Sequence, residues 1–251
     1  MKTLNLIKAI MIISLAVFLS SCEKDNNNDH DNPMSKTTFK FQATTQTAKM
    51  ANAKTTVADG LVVESFMINI AEIEIEFDED DPMFETDSVA SDYDLEGPFE
   101  IDLIKEGNPF ETIIASNVEL PAAAYSEIEF EFDKNKNQDS DLFGKTTIIE
   151  GTINETPFIF WSDEDIELEI EFEELVYLEE ATSTMLAISF DLTALFNPEM
   201  GGIDITSATD GNGDGIIEIY PGDPDGNSKL AEKIYEKLED IIEAFEDKYD
   251  D

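Results

Sequence analysis

An Asp-, Asn- and Gly-rich stretch over residues 210–227 holds the clearest candidates for chemistry in this sequence. Its spacing, Asp-x-Asn-x-Asp-Gly-x-Ile, matches the first eight positions of an EF-type calcium loop. In such loops oxygen ligands occupy positions 1, 3, 5 and 7, and glycine makes the turn at position 6. The candidate ligands, including an acid at position 9, are Asp210, Asn212, Asp214, the carbonyl of Ile216, and Glu218. The pattern therefore predicts a Ca²⁺ site.

The last position of this loop departs from the calcium pattern. Position 12 should carry a bidentate acid, but Pro221 stands there. Asp223 or Asp225, which follow closely, can return to the loop as the missing carboxylate. The alternative is a polar connection stiffened by Asx turns, since turns also favour Asp, Asn and Gly. The sequence leaves both interpretations open.

The composition excludes several classes of function. The 251 residues include 58 acidic and 15 basic side chains, for a net charge of −43, and every basic residue is Lys. Nucleic-acid binding is excluded because it requires a basic surface. The only Cys and the only His are Cys22 and His30, both near the amino terminus. Cysteine nucleophiles, histidine bases and zinc sites are therefore not expected in the folded part.

The amino terminus has the pattern of a lipoprotein signal. Two lysines, Lys2 and Lys8, precede an apolar run over residues 9–19 that is too short to span a bilayer. The following Leu-Ser-Ser-Cys resembles the lipobox of bacterial lipoproteins, which implies removal of residues 1–21 and lipidation of Cys22. An ordinary secretion signal with an incidental cysteine is the alternative.

Residues 22–35 form a polar, acidic tether with nothing to bury. Their acidic start resembles the export tag of lipoproteins in Bacteroidetes-type bacteria. This resemblance implies a protein anchored by lipid in the outer membrane and facing outward, although the periplasmic face stays open. A plain flexible spacer explains the same composition.

Residues 36–200 carry the alternating pattern of β-strands. Many short runs separated by Asp, Asn, Gly and Pro predict an all-β antiparallel sandwich. Within the strand predicted over residues 66–77, the apolar phase slips by one at Ala71, which predicts a β-bulge. Residues 78–97 fit no strand and are assigned to a long acidic loop. Trp161 lies in a Phe-rich strand, where a core position is the usual outcome.

Three predicted strands place glutamates on one face and Ile, Leu or Phe on the other; they cover residues 72–77, 127–132 and 166–172. If two of them are neighbours, Glu faces Glu across the ladder, which is destabilising by roughly 0.2–1 kcal/mol per pair. Salt or bound divalent cations can offset this repulsion. A solvated acidic face and an ion-binding face are both consistent with the pattern.

One segment resembles a known family. Residues 118–128, Val-Glu-Leu-Pro-Ala-Ala-Ala-Tyr-Ser-Glu-Ile, are similar to the Leu-Pro-Ala-Gly-Tyr-x-x-Ile segment of the domain of unknown function 4382, which is common in bacterial lipoproteins. Here Ala123 and Ala124 stand where glycine is usual. The resemblance implies an immunoglobulin-like or transthyretin-like sandwich and no established activity.

The carboxyl terminus divides into the acidic loop, residues 201–227, and an amphipathic helix, residues 228–251. Asn227 or Ser228 can cap the helix. Its apolar stripe predicts burial against the sandwich, with a partner subunit or a membrane surface as alternatives.

These observations predict a non-enzymatic, lipid-anchored cell-surface protein, a binding or adhesion module with a calcium-binding loop. Its expected partners are the membrane, through the lipid on Cys22, and a surface protein or glycan. One alternative is a glycan- or solute-binding accessory lipoprotein of an outer-membrane uptake system, with Trp161 as a stacking platform. A carboxylate-dependent glycoside hydrolase is a further alternative, since such enzymes need only a pair of acids.

Overall fold

A computed structural model describes residues 33–45, 55–78, 92–180 and 183–249. These residues form twelve β-strands and two α-helices, with two 3₁₀ turns, Pro198–Met200 and Ile205–Ser207. The strands are β1 Met34–Thr44, β2 Thr55–Ala58, β3 Leu61–Phe77, β4 Asp92–Lys105, β5 Asn108–Pro109, β6 Glu111–Pro121, β7 Ala124–Phe132, β8 Thr147–Ile153, β9 Thr156–Ser162, β10 Ile166–Tyr177, β11 Ser183–Asp191 and β12 Ile217–Ile219. The helices are α1 Leu192–Phe196 and α2 Ser228–Tyr249.

The strands form two sheets. The smaller sheet has the order β11-β1-β6, and the larger runs β10-β7-β3-β8-β9-β12, with β2 and β4 also paired to β3 and β5 paired to β4. The all-β sandwich is confirmed. Most neighbours are antiparallel, but β1 pairs with β11 in parallel, and so does β9 with β12. Each parallel pair joins a strand to a much later part of the chain, which periodicity alone cannot reveal.

A phenylalanine-rich core fills the space between the sheets. The ring of Phe41 from the smaller sheet meets Phe130 from the larger sheet edge to face, with 5.5 Å between centroids. Phe190 of β11 also contacts Phe41 and reaches Phe66 of the larger sheet. Alternation along each strand directs one set of side chains inward, and burial of each large apolar side chain contributes about 1.5–3 kcal/mol.

The long strand β3 organises the larger sheet. Its second half lies between β4 and β7, and its first half pairs with β8 and β2. The ladder between β3 and β4 shifts register between Ile70 and Glu72, so the bulge predicted at Ala71 is confirmed. The bulge lets Ile68, Ile70 and Ile73 all face the core despite the phase slip.

Two segments differ from the sequence-based prediction. Residues 92–97, assigned to an acidic loop, begin β4: this segment pairs with the second half of β3, and residues 93–96 alternate in exposure. The first strand begins at Met34, two residues before the predicted start of the sandwich.

The described part of α2 packs on the protein itself, as predicted. Ala231, Ile234 and Leu238 are buried and belong to the common core. The Tyr235 hydroxyl donates to the Asp165 carbonyl just before β10, at 2.9 Å. Among the described residues, no helix combines the length and apolarity needed to cross a membrane.

Candidate cation-binding sites

The acidic loop is folded around the carboxylate of Asp210. Its Oδ1 accepts hydrogen bonds from the backbone N–H groups of Gly213, at 2.7 Å, and Asp214, at 3.2 Å. Its Oδ2 accepts from Gly215 N at 2.9 Å. Gly215 has a φ of 94°, a conformation that glycine adopts freely. The first and sixth positions of the motif therefore build one compact turn.

Two further candidates, Asp214 and Glu218, accept from the side-chain amide of Asn212. Its Nδ2 donates to Asp214 Oδ2 at 3.2 Å and to Glu218 Oε2 at 3.1 Å. Its Oδ1 accepts from Asp214 N at 2.8 Å. The Ile216 N–H donates to Asp214 Oδ1 at 3.0 Å, and the Ile216 side chain is exposed. The amide nitrogen of Asn212 is therefore the hydrogen-bond donor shared by two carboxylates.

Asp225 is the acid that returns to the loop. Its Oδ1 accepts from Asn212 N at 3.0 Å, and its Oδ2 accepts from Glu218 N at 2.7 Å. Desolvation tends to raise the pKa of Asp225, but hydrogen bonds from the backbone N–H groups of Glu218, Asn212 and Gly211 outweigh it. The pKa therefore lies below its usual value. The closure also needs Gly211, since a Cβ there would lie 2.3 Å from the Asp225 carbonyl oxygen.

Asp223 faces the helix instead. Its Oδ1 accepts from Asn227 N and its Oδ2 from the Ser228 hydroxyl, both at 2.9 Å, so both oxygens are engaged at the start of α2. The structure thus separates two acids that the sequence could not distinguish. Asp223 organises the helix start, and Asp225 closes the loop.

Asn227 ties the loop to α2. Its Nδ2 donates to the carbonyl oxygens of Thr209 and Glu218, at 2.9 and 2.8 Å, while its Oδ1 accepts from Thr209 N at 3.2 Å. Asn227 is buried. The Asn227 side chain, one of the two predicted to cap the helix, therefore bridges Thr209 and Glu218 within the acidic loop.

An aromatic pair borders the loop and includes Trp161, for which the sequence pattern had favoured a core position. The rings of Trp161 and Tyr220 stack with centroids 4.7 Å apart and planes 19° apart. Both are half-buried, and Trp161 alternates with the buried Phe160 and Ser162, so it lies on the outer face of β9. The Tyr220 hydroxyl donates to Glu218 Oε1 at 2.5 Å. The pairing of β12 with β9 brings these residues together.

A second acidic feature covers the outer face of β4, β3, β7 and β10. The three predicted glutamate strands are neighbours, and their acids align in three cross-strand rows. We call these the acid rows; they are Glu96, Glu72, Glu131 and Glu167; Asp94, Glu74, Glu129 and Glu169; and Glu76, Glu127 and Glu171. Directly opposite side chains have Cβ atoms about 5 Å apart. No Lys occurs on β3, β7 or β10, so the acids of these three strands lie opposite each other without a cation from the same strands.

Glu127 shows the electrostatic effect of this arrangement most strongly. Burial, and then four neighbouring carboxylates, raise its pKa from the usual 4.5 to about 7. Those carboxylates belong to Glu169, Glu76, Glu171 and Glu129. Burial followed by neighbouring acids also raises the pKa of Glu129 and of Glu72.

Within the described residues, three carboxylate oxygens come within 4.8 Å of one another at Glu127, Glu169 and Glu171. The acids of the loop do not form such a group; hydrogen bonds to the backbone and to Asn212 hold their oxygens. Cys22, the predicted lipidation site, and His30 lie outside the described residues.

Comparison with known proteins finds no matching family model, no matching curated protein and no matching solved structure. The fold and the sites therefore define a class, an acidic β-sandwich with a carboxylate-lined loop, and the function must be argued from the residues themselves.

Proposed function

We propose that the protein is a non-enzymatic, lipid-anchored cell-surface module for binding or adhesion, and that Ca²⁺ orders its acidic loop. The membrane anchor is the lipid on Cys22, and the outer membrane is the proposed location, with the sandwich facing outward. The observation that carries the calcium part is the return of Asp225 to a loop that already follows the calcium spacing from Asp210 to Glu218.

The hydrogen bonds of the loop support this proposal. An ionised carboxylate has about four acceptor sites, and Asp210 uses three of them for N–H groups of the turn, so its acceptor role is compatible with a ligand role. The Asn212 amide lies where positive charge is needed, between Asp214 and Glu218. Rotation of that amide would break the bond from Asp214 N to Asn212 Oδ1, turn this oxygen inward, and let Ca²⁺ replace the amide N–H groups as the partner of both carboxylates.

Calorimetric titration of Ca²⁺ into the chelator-treated full chain tests the site. One saturable site is expected, weakened at least tenfold in Asp210→Ala and in Asp214→Ala. Asp139→Ala is the matched control, because Asp139 is an exposed acid of another loop. Weak binding that is equal in all four proteins would reject the calcium loop.

A separate experiment tests the anchor. The protein should incorporate a labelled fatty acid when produced in a bacterium that processes lipoproteins, and Cys22→Ala should abolish the incorporation. Protease treatment of intact cells should then remove the sandwich if it faces outward. Labelling that survives in Cys22→Ala would contradict lipidation at this residue.

A glycan-binding module is the second candidate, because Trp161 lies on the outer face and stacks on Tyr220. Half-buried aromatic rings offer a flat apolar surface to a sugar ring, with carboxylates such as Glu218 as acceptors for its hydroxyl groups. Binding of neutral oligosaccharides that is lost in Trp161→Ala and kept in Phe143→Ala would favour this candidate. If no oligosaccharide of the panel binds, the glycan-binding function is rejected.

A further inference from the structure

Tyr220 connects the acidic loop to the sheet through both ends of its side chain. Its hydroxyl donates to Glu218 Oε1 at 2.5 Å, and its ring stacks on Trp161 at 4.7 Å. The backbone supports the same connection, since Glu218 and Ile219 pair with Ile159 and Phe160 of β9. A shift of the Glu218 carboxylate would therefore also shift the Tyr220 ring relative to Trp161.

We propose that Tyr220 is a positioning residue of the acidic loop: it orients Glu218 for Ca²⁺. We also propose that Tyr220 couples Ca²⁺ binding in this loop to the surroundings of Trp161 on the outer face of β9. This inference rests on the proposed function, because it takes Glu218 as a ligand of Ca²⁺. It adds a residue outside the calcium spacing and a consequence for the outer face of the sheet.

The two oxygens of Glu218 have different partners, which gives the coupling its direction. Oε1 is held by the Tyr220 hydroxyl, and Oε2 is held by the Asn212 amide. Ca²⁺ entering the loop displaces the amide and takes Oε2, while Oε1 keeps its bond to Tyr220. Hydrogen-bonded partners orient ligating carboxylates in this way, and their removal usually lowers metal affinity by about 10–100-fold.

The aromatic ring fixes where the hydroxyl stands. Trp161 holds the Tyr220 ring by stacking, and the desolvation of the half-buried pair strengthens the bond to Glu218. Tyr220→Phe keeps the stacked ring and removes only the hydroxyl, so it separates positioning from packing. Trp161 is the only tryptophan of the chain, and tryptophan fluorescence therefore reports on this surface alone.

The experiment is a Ca²⁺ titration of the full chain followed by calorimetry and by Trp161 fluorescence, on wild type, Tyr220→Phe and Tyr177→Phe. Tyr177 lies on β10 with 69% of its surface exposed and serves as the matched control. We expect a saturable fluorescence change in wild type and Tyr177→Phe. In Tyr220→Phe we expect a dissociation constant about tenfold higher and a smaller fluorescence change at saturation. Thermal melting of each variant verifies that it is folded.

If Tyr220→Phe does not fold, the wild-type titration still tests the coupling, because the Trp161 fluorescence change must then saturate together with the calorimetric binding curve. Two outcomes overturn the coupling while the proposed Ca²⁺ site in the acidic loop stands. One is a dissociation constant for Ca²⁺ that is unchanged in Tyr220→Phe, and the other is Ca²⁺ binding to wild type without a change in Trp161 fluorescence. Absence of Ca²⁺ binding in wild-type calorimetry overturns both.

Discussion

Glu127 of β7 lies directly opposite Glu171 of β10 in an antiparallel ladder, and its other cross-strand neighbour, Glu76 of β3, is also an acid. Three carboxylates thus meet in one row with no lysine on their strands. Such neighbours are destabilising when all are ionised. The sheet tolerates them because the opposite side of the same strands buries Ile75, Ile128 and Phe130 in the core.

This row predicts an unusual dependence of stability on pH. Since burial and neighbouring acids raise the pKa of Glu127 from 4.5 to about 7, the folded chain binds a proton between these values that the unfolded chain does not. The free energy of unfolding should therefore rise as pH falls from about 7 to about 4.5. Thermal melting at a series of pH values measures this trend. A melting temperature that falls steadily from pH 7 to pH 5 would contradict it.

Below about pH 4 the trend should reverse. The hydrogen bond of Lys136 holds the pKa of Asp133 below its usual 3.8 despite burial, and Asp225 is lowered as well. Their contribution is lost as these acids take up protons. The same melting series should show its maximum between these two regions.

Substitution of the central acid gives a direct test of the repulsion. Glu127→Gln removes one charge from the row and should stabilise the protein by about 0.2–1 kcal/mol for each relieved neighbour. It should also flatten the rise in stability between pH 7 and pH 5. The control is Glu199→Gln, an exposed acid in a 3₁₀ turn, for which a change within about 0.5 kcal/mol is expected. Urea denaturation of the three proteins at pH 8 measures the differences.

Ionic strength should stabilise the protein for the same reason. The Debye length falls from about 10 Å at 0.1 M salt to about 3 Å at 1 M, so charges about 5 Å apart are screened across this range. The melting temperature should rise between 0.05 and 1 M NaCl. The rise should be smaller in the triple variant Glu74→Gln, Glu129→Gln, Glu169→Gln.

A variant of equal net charge controls for general repulsion. Glu199, Glu232 and Glu236 are exposed and lie outside the acid rows, so their joint change to Gln should leave the salt response close to wild type. Equal salt responses in the two triple variants would show that the rows hold no special repulsion.

Most of the strands could be predicted from the sequence, because apolar and polar residues alternate along a half-buried strand. The bulge at Ala71 followed from a one-residue phase slip. The order of the strands could not be obtained this way, since the pairs of β3 with β7 and of β7 with β10 join residues distant in sequence. The parallel pairing of β1 with β11 is hidden for the same reason.

The candidate site was predictable only as a spacing. Asp223 and Asp225 are chemically identical and two residues apart, and only the position of α2 decides which one closes the loop. The Trp161–Tyr220 stack depends on β12, a strand of three residues inside the calcium spacing. Periodicity cannot detect so short a strand, although the apolar alternation Ile217, Ile219 is its one signal.

Asn227 carries a prediction for the loop. Asn227→Ala removes three hydrogen bonds and leaves the Thr209 and Glu218 carbonyls without this donor. A buried group left unpaired costs about 1–3 kcal/mol, so a destabilisation of at least that size is expected. Asn137→Ala, in another loop, should change stability by less, because Asn137 is exposed and its side chain accepts one local bond. If urea denaturation shows equal losses in the free energy of unfolding for the two variants, the Asn227 side chain does not stabilise the loop.

Phe41 links the two sheets of the sandwich. Its ring is fully buried and contacts Phe130 of the larger sheet and Phe190 of the neighbouring strand. Phe41→Ala should lower the free energy of unfolding by about 3–5 kcal/mol, through lost burial and the cavity left behind. Phe143→Ala removes the same atoms from a side chain that is 48% exposed and should cost much less. Urea denaturation compares them, and equal losses would show that the interface between the sheets does not depend on Phe41.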